Sequence, residues 1–175
     1  MELSLTTLIK EDDIKKKVAE LGTQLTKKFS GKTPIALCVL NGSAIFYADL
    51  LREIDTDLIC EFISVSSYGD KSYSSGQVKL TMDISTQIED RDIIIVEDII
   101  DTGLTMNYLI KTLEVRKPKS ITTVTLLNKP KARKVECKAD FSGFDIANDF
   151  VVGYGLDYQG FYRNLPYVAR VENLM

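Results

Sequence analysis

The sequence contains no histidine. That absence excludes a Ser-His-Asp triad, a Cys-His dyad and any H-E-x-x-H zinc site. Acid–base chemistry must then fall to Asp, Glu, Lys or Tyr, and any metal should be a hard, oxygen-bound cation such as magnesium. Cysteine is sparse too. Cys38, Cys60 and Cys137 are odd in number and widely spaced, with no C-x-x-C pair, so neither a redox motif nor a zinc site can be drawn, and they read as buried, reduced thiols. With 10 Gly and 4 Pro the chain is neither collagenous nor of low complexity. No apolar run approaches the ~20 residues of a membrane span, and residues 1–10 lack the basic start of a signal peptide, which points to the cytoplasm. Positive charge is not in excess: 22 basic residues stand against 25 acidic ones, a net charge of -3 with a pI near 5.1. This argues against general nucleic-acid binding, which neutralises phosphates with a basic surface.

What is present is ordinary globular material. The 175 residues, 45% apolar and 27% charged, suit one domain spanning residues 1–175, large enough to bury roughly 70% of the surface of its unfolded chain. Ile14, Val18, Leu21 and Leu25 follow helical spacing and predict an amphipathic helix capped by Asp12 or Asp13, with Lys15 to Lys17 facing water. "PIALCVLNGS" (34–43), "ICEFISVSSYG" (59–69), "QVKLTMD" (77–83), "DIIIVED" (92–98) and "SITTVTLLN" (120–128) read as strands. Helices are expected at 44–54, beginning from Ser43, and at 104–116. Alternating strands and helices at this spacing predict an α/β fold with a mainly parallel sheet and right-handed crossovers. Ligands in such sheets lie beyond the carboxyl ends of the strands. A long mobile loop is expected at about 67–77, and the aromatic-rich segment from 149 onward reads as a flap over the sheet.

One strand end stands out. "VEDIIDTGLT" (96–105) places Glu97, Asp98 and Asp101 within five residues, with no basic residue beside them. Helix capping explains one carboxylate, whereas three repel and raise one another's pKa unless a cation or a hydroxyl-rich ligand intervenes. The following "DTGLT" forms a strand-to-helix turn in which Gly103 permits close backbone approach, Thr102 and Thr105 offer hydroxyls, and the helix N-terminus presents unpaired N–H groups. Those are the parts of a phosphate cradle, and a pentose phosphate with magnesium satisfies the acids as well. The usual nucleotide motifs are missing. No G-x-x-x-x-G-K-[ST] occurs, and "GYGLDY" (153–158) has Tyr158 where the last glycine of G-x-G-x-x-G belongs.

"IIIVEDIIDTGLT" resembles the signature of the type I phosphoribosyltransferases, which bind phosphoribosyl pyrophosphate (PRPP), and the resemblance narrows to the 6-oxopurine, or hypoxanthine-guanine, phosphoribosyltransferases. It covers residues 35–171 in four ordered segments. It implies a type I phosphoribosyltransferase-like fold, a central sheet flanked by helices with a small hood drawn from about 149–175 and the N-terminus. In the first segment it implies that Glu97 and Asp98 hold the ribose hydroxyls, that Asp101 faces purine N7 as the catalytic acid–base, and that Asp101, Thr102, Gly103, Leu104 and Thr105 wrap the 5'-phosphate. The second segment, "VLNGS" (39–43), is similar to the pyrophosphate loop, whose non-proline cis peptide exposes backbone N–H groups. Many members carry lysine where this chain has Asn41, so Asn41 and Gly42 are given main-chain roles only. A plain strand-to-helix turn with a Ser43 cap is the alternative. The third, "SSYGDKSYSSG" (66–76), resembles the catalytic loop, with Ser67 and Tyr68 closing over pyrophosphate to exclude water; a plain disordered hairpin is the alternative.

In the fourth segment the resemblance implies that Lys129 donates to purine O6, Phe150 stacks on the base, and the Val151 main chain reads the base edge. It also implies that Asp157, with Glu97 and Asp98, meets magnesium and that Arg163 meets pyrophosphate. Taken singly, Phe150 could be core and Arg163 a surface ion pair. Lys131, Arg133 and Lys134 read as solvated loop. The implied reaction is transfer of the phosphoribosyl group from PRPP to N9 of hypoxanthine or guanine, giving IMP or GMP and pyrophosphate, with magnesium as cofactor and a homodimer or homotetramer as the assembly. The alternatives are a xanthine-preferring enzyme on the same scaffold and a non-catalytic, PRPP-sensing regulator that binds nucleic acid.

Overall fold

Three runs of apolar residues long enough for a strand but too short for a helix dictate the centre of the molecule. A computed structural model describes residues 3–68 and 77–173. The elements run β1 (Leu5–Ile9), α1 (Glu11–Phe29), β2 (Ile35–Leu40), α2 (Ala44–Arg52), β3 (Ile59–Tyr68), β4 (Gln77–Met82), β5 (Asp92–Ile100), α3 (Leu104–Glu114), β6 (Ser120–Asn128), a 3-10 turn (Pro130–Ala132), β7 (Phe141–Asp145), β8 (Val151–Val152) and β9 (Val168–Val171). Strands β4-β3-β2-β5-β6-β7 form a six-stranded sheet. All its pairings are parallel except that of β4 with β3 at one edge, as expected for the α/β class.

Side-chain alternation splits the core into two layers. Ala36, Cys38, Ile94 and Val96 face α1 and α2, whose Ile14, Leu21, Leu25, Phe46 and Leu50 cover them. Their neighbours Leu37, Val39, Ile93 and Ile95 face Met106, Leu109 and Leu113 of α3. Strands buried on both faces need continuous apolar sequence, which β2 and β5 provide. A second, antiparallel sheet of order β1-β9-β8 joins the two ends of the chain, pairing Leu5 with Val171 and Val151 with Arg170.

Several expectations are corrected. Lys10, not Asp12 or Asp13, occupies the N-cap of α1, and no side chain caps it. Glu11, Asp12 and Asp13 fill the first turn and Lys27 and Lys28 the last, so charge complements the helix dipole without a capping bond. Strand β5 runs on to Ile100, while α2 and α3 stop at Arg52 and Glu114. Strands β1 and β7 were not expected. Cys38 is buried, but Cys60 is exposed and Cys137 half-buried.

Candidate active site

The carboxyl ends of β2, β5 and β6 lie side by side, and each delivers one part of a site. Strand β2 ends in a non-proline cis peptide between Leu40 and Asn41. The turn after it is closed by Ser43, which sits at the N-cap of α2 without capping it. Its hydroxyl turns back and donates to the Val39 carbonyl at 2.6 Å, so the simple Ser43-cap alternative does not hold. A methyl group on Gly42 would lie 1.8 Å from Oδ2 of Asp98. The turn after β2 is therefore pressed against the acid pair of β5.

Glu97 and Asp98 are both buried, 9% and 8% exposed. Burial, reinforced by the Asp98 charge, holds the Glu97 carboxyl well above the usual carboxylate range. Burial also raises Asp98, opposed by the Ile99 N–H that its Oδ1 accepts at 2.8 Å. Among the described residues, Oε2 of Glu97 is a buried oxygen with no hydrogen-bond partner. Buried acceptors are normally paired, so an orphan of this kind suits a ligand: a sugar hydroxyl or a hard cation satisfies it. Magnesium fits this donor set.

Beyond Ile100 the chain turns into α3 through Gly103, which holds a left-handed φ of 84° at the N-cap, a conformation costly for any residue with a Cβ. Thr102 Oγ1 accepts from the Leu104 N–H at 3.4 Å. A cavity of about 200 Å³ opens here, and Glu97, Asp101, Thr102, Gly103, Thr105 and Met106 are among its lining residues. Five residues expected around the ribose phosphate thus share one cavity, at the positive end of a helix.

The residue that follows β6 is Lys129, whose Nζ lies 3.2 Å from Oδ2 of Asp101. The lysine side chain is 8% exposed and the aspartate side chain 46%, so a buried cation is paired with a carboxylate reaching solvent. The basic stretch that follows was expected to be solvated. Lys131 and Lys134 are exposed, but Arg133 is not free. Its guanidinium donates to the carbonyls of Ile100 (2.5 Å) and Asp101 from Nη1, to the Cys137 carbonyl from Nε (3.1 Å), and to Asn128 Oδ1 from Nη2. No sequence signal separates it from its neighbours, because its targets are mainly main-chain atoms.

The small sheet brings the remaining expected residues. Phe150 is 45% exposed and meets the Tyr158 ring edge-on at 5.8 Å, which leaves ring surface for stacking. Val151 lies in β8 opposite Arg170. The next residues form a tight turn rather than a dinucleotide loop, with positive φ at Gly153, Tyr154 and Gly155. A Cβ on Gly155 would lie 2.0 Å from the Gly42 carbonyl oxygen, so this turn rests on the turn after β2. Tyr154 anchors it from behind, donating its hydroxyl to Asp49 of α2 at 2.6 Å. Arg163 donates to the Gly155 carbonyl at 2.6 Å and pairs with Asp157 at 2.7 Å. The other Asp157 oxygen accepts from the Gly160 N–H; carboxylate oxygens engaged in this way keep lone pairs for a cation. Among the described residues no group of three or more acids or cysteines converges on one point, so a cation here would need donors from a ligand as well. Ser67 and Tyr68 end β3, their main chains opposite Val78 and Gln77; their side chains and residues 69–76 lie outside the described residues.

Similarity to known proteins follows the same outline. The phosphoribosyl transferase domain family matches residues 5–159. The hypoxanthine-guanine phosphoribosyltransferase of Bacillus subtilis (strain 168) is 54% identical over 162 residues, spanning 93% of this chain and 90% of that protein. That of Lactococcus lactis subsp. lactis (strain IL1403) is 53% identical over 162 residues, 93% and 88% of the two chains. A crystal structure of a hypoxanthine-guanine phosphoribosyltransferase from Bacillus anthracis, with a HEPES molecule in the active site, superposes with a TM-score of 0.92 at 44% identity, covering 98% of this chain and all (100%) of that one.

Proposed function

This chain belongs to the phosphoribosyltransferase family, and from that premise we infer that it is a purine-salvage enzyme. It transfers the 5-phosphoribosyl group of PRPP to N9 of hypoxanthine or guanine, giving the nucleoside 5'-monophosphate and pyrophosphate. The observation that carries this reading is the cavity at the end of β5, where Glu97, Asp101 and the Thr102–Gly103 turn converge, with Lys129 at 3.2 Å from Asp101.

In this reading the turn from Asp101 to Thr105, Leu104 included, holds the 5'-phosphate with main-chain N–H groups and the Thr102 and Thr105 hydroxyls, at the positive end of α3. Glu97 and Asp98 accept from the ribose hydroxyls, which relieves the repulsion between two buried carboxyls. The main chain at Asn41 and Gly42, with Arg163, holds the pyrophosphate. Phe150 stacks on the base and the Val151 main chain reads its edge. Lys129 donates to O6, while Asp101 takes the proton at N7 as the N9–C1' bond forms. Their pairing at 3.2 Å sets both on one edge of the base. Ser67 and Tyr68, at the end of β3, lead into the segment that keeps water from C1' in this reading. Asp157 on one side, and Glu97 and Asp98 on the other, would hold magnesium together with oxygens of the donor, and the ion would supply charge neutralisation for the pyrophosphate leaving group. A cytoplasmic homodimer or homotetramer belongs to this reading through the family likeness; among the described residues no helix is long and apolar enough to cross a membrane.

The test is nucleotide formation from PRPP with hypoxanthine, guanine, xanthine or adenine, each with and without magnesium. IMP and GMP forming only with magnesium is the expected result. Preference for xanthine would transfer the assignment to that base. Silence with all four, alongside retardation of nucleic acid in a gel, would replace the enzyme by a regulator.

A further inference from the structure

We propose that Arg133 is a positioning residue for phosphoribosyl transfer: touching no substrate, its guanidinium sets the peptide planes of the phosphate-binding turn and locks Lys129 to Asp101. The proposal rests on the function inferred above and adds a residue to it.

Three successive carbonyls at the end of β5 are all gripped by the segment after β6. The Ile100 carbonyl accepts from the Lys129 N–H at 3.0 Å and from Arg133 at 2.5 Å. The Asp101 carbonyl accepts from Arg133, and the Thr102 carbonyl from the Lys134 N–H at 2.9 Å. In a planar trans peptide the N–H points opposite to the C=O of the same unit. Fixing those three carbonyls toward the 129–134 segment therefore turns the N–H groups of Asp101, Thr102 and Gly103 to the opposite side, as an anion-binding row. Arg133 controls the first two planes.

The same guanidinium reaches the other side of the site. Its Nη1 lies 3.3 Å from the carbonyl of Lys129, and its Nη2 donates to Asn128 Oδ1. One rigid fork thereby spans the ends of β5 and β6, which carry the two residues assigned to the purine edge. Arginine suits this task because its planar donors address several carbonyls at once, whereas lysine offers one rotating point charge. Close packing leaves the turn no slack: a Cβ on Gly103 would stand 2.8 Å from Cys137 Cβ and 3.3 Å from Arg133 Cδ.

The experiment compares wild type, Arg133→Ala and Arg133→Lys at 25 °C, well below melting, measuring kcat and the KM of each substrate. Misplacing a catalytic pair by a fraction of an ångström is expected to lower kcat by about tenfold or more in both variants, lysine included. Added ethylguanidinium should restore part of the Arg133→Ala activity, and sodium chloride of equal ionic strength should not. Should Arg133→Ala fail to fold, Arg133→Gln carries the same comparison. Turnover within about twofold of wild type, or a loss that follows the unfolded fraction and ignores ethylguanidinium, overturns the proposal. If wild type itself forms no nucleotide, the functional reading fails separately. The role of Arg133 is then decided by calorimetry with ribose 5-phosphate, for which about tenfold weaker binding in Arg133→Ala is expected and equal binding refutes it.

Discussion

Gly42 stands so close to Asp98 that a methyl group at position 42 would fall 1.8 Å from the Asp98 carboxylate, which would have to move to admit it. The turn after β2 and the acid pair of β5 are therefore one structure, and whatever moves one moves the other.

Gly42→Ala should accordingly damage binding of the donor more than of the base. Displacing the Asp98 carboxylate or the turn costs on the order of 1–3 kcal/mol, the usual penalty for overpacking. Steady-state kinetics should give a KM for PRPP raised about tenfold or more, with the KM for the base little changed. Wild-type PRPP kinetics would mean that the turn and the acid pair act independently.

Glu97 gives the free protein a pH dependence. Its folded-state pKa lies above the unfolded value because of burial and the Asp98 charge. The folded state thus binds more protons, and the stabilisation is complete below about pH 4 and lost as pH climbs through the folded value. Glu97→Gln removes the titration. In metal-free, ligand-free protein its melting temperature should exceed that of wild type near pH 8 and approach it near pH 4, while PRPP affinity falls. A constant difference between the two melting curves across that range would contradict the assignment.

Asp101 and Lys129 should separate under mutation although they are paired at 3.2 Å. Removing the acid–base in Asp101→Ala is expected to lower kcat by about 10² or more with PRPP still bound. Lys129→Met should act chiefly on the KM of the base, by roughly tenfold, as befits a lost contact to O6. Near wild-type kcat in the first variant would take Asp101 out of this role.

Tyr154→Phe removes the bond to Asp49 that holds the turn over Gly42. Losing one such bond costs about 1 kcal/mol, or roughly 2–4 °C in Tm for a chain of this size. A rise in the KM for PRPP should accompany it, since Gly155 rests on Gly42. An unchanged Tm measured by calorimetry would show that the bond adds nothing.

How much of this was legible in the sequence depended on where the signal resided. Strands β2 and β5 read clearly because both faces are buried and each carries a continuous apolar run, and β6 because its β-branched Ile, Thr and Val suit a buried, pleated strand. The acid cluster read clearly because its three carboxylates lie within five residues on one strand end. Strand β7, "FSGFD", is half-exposed and interrupted by Gly143 at the sheet edge, so neither alternation nor apolar content marks it. Strand β1 exposes both its threonines and is a strand because β9 pairs with it, which is tertiary information. Arg133 was invisible for a related reason: its bonds to Ile100 and Asp101 span 33 and 32 residues of sequence and end on carbonyls that every residue possesses. At the start of α1 the first-turn acids suggest a cap, but they form no capping bond and complement the helix dipole instead.

The most direct test is a crystal structure of the protein soaked with PRPP and magnesium. The 5'-phosphate is expected in the turn from Asp101 to Thr105, the ribose hydroxyls on Glu97 and Asp98, and the pyrophosphate against Asn41 and Gly42. A donor bound elsewhere, with that turn vacant, would contradict the account.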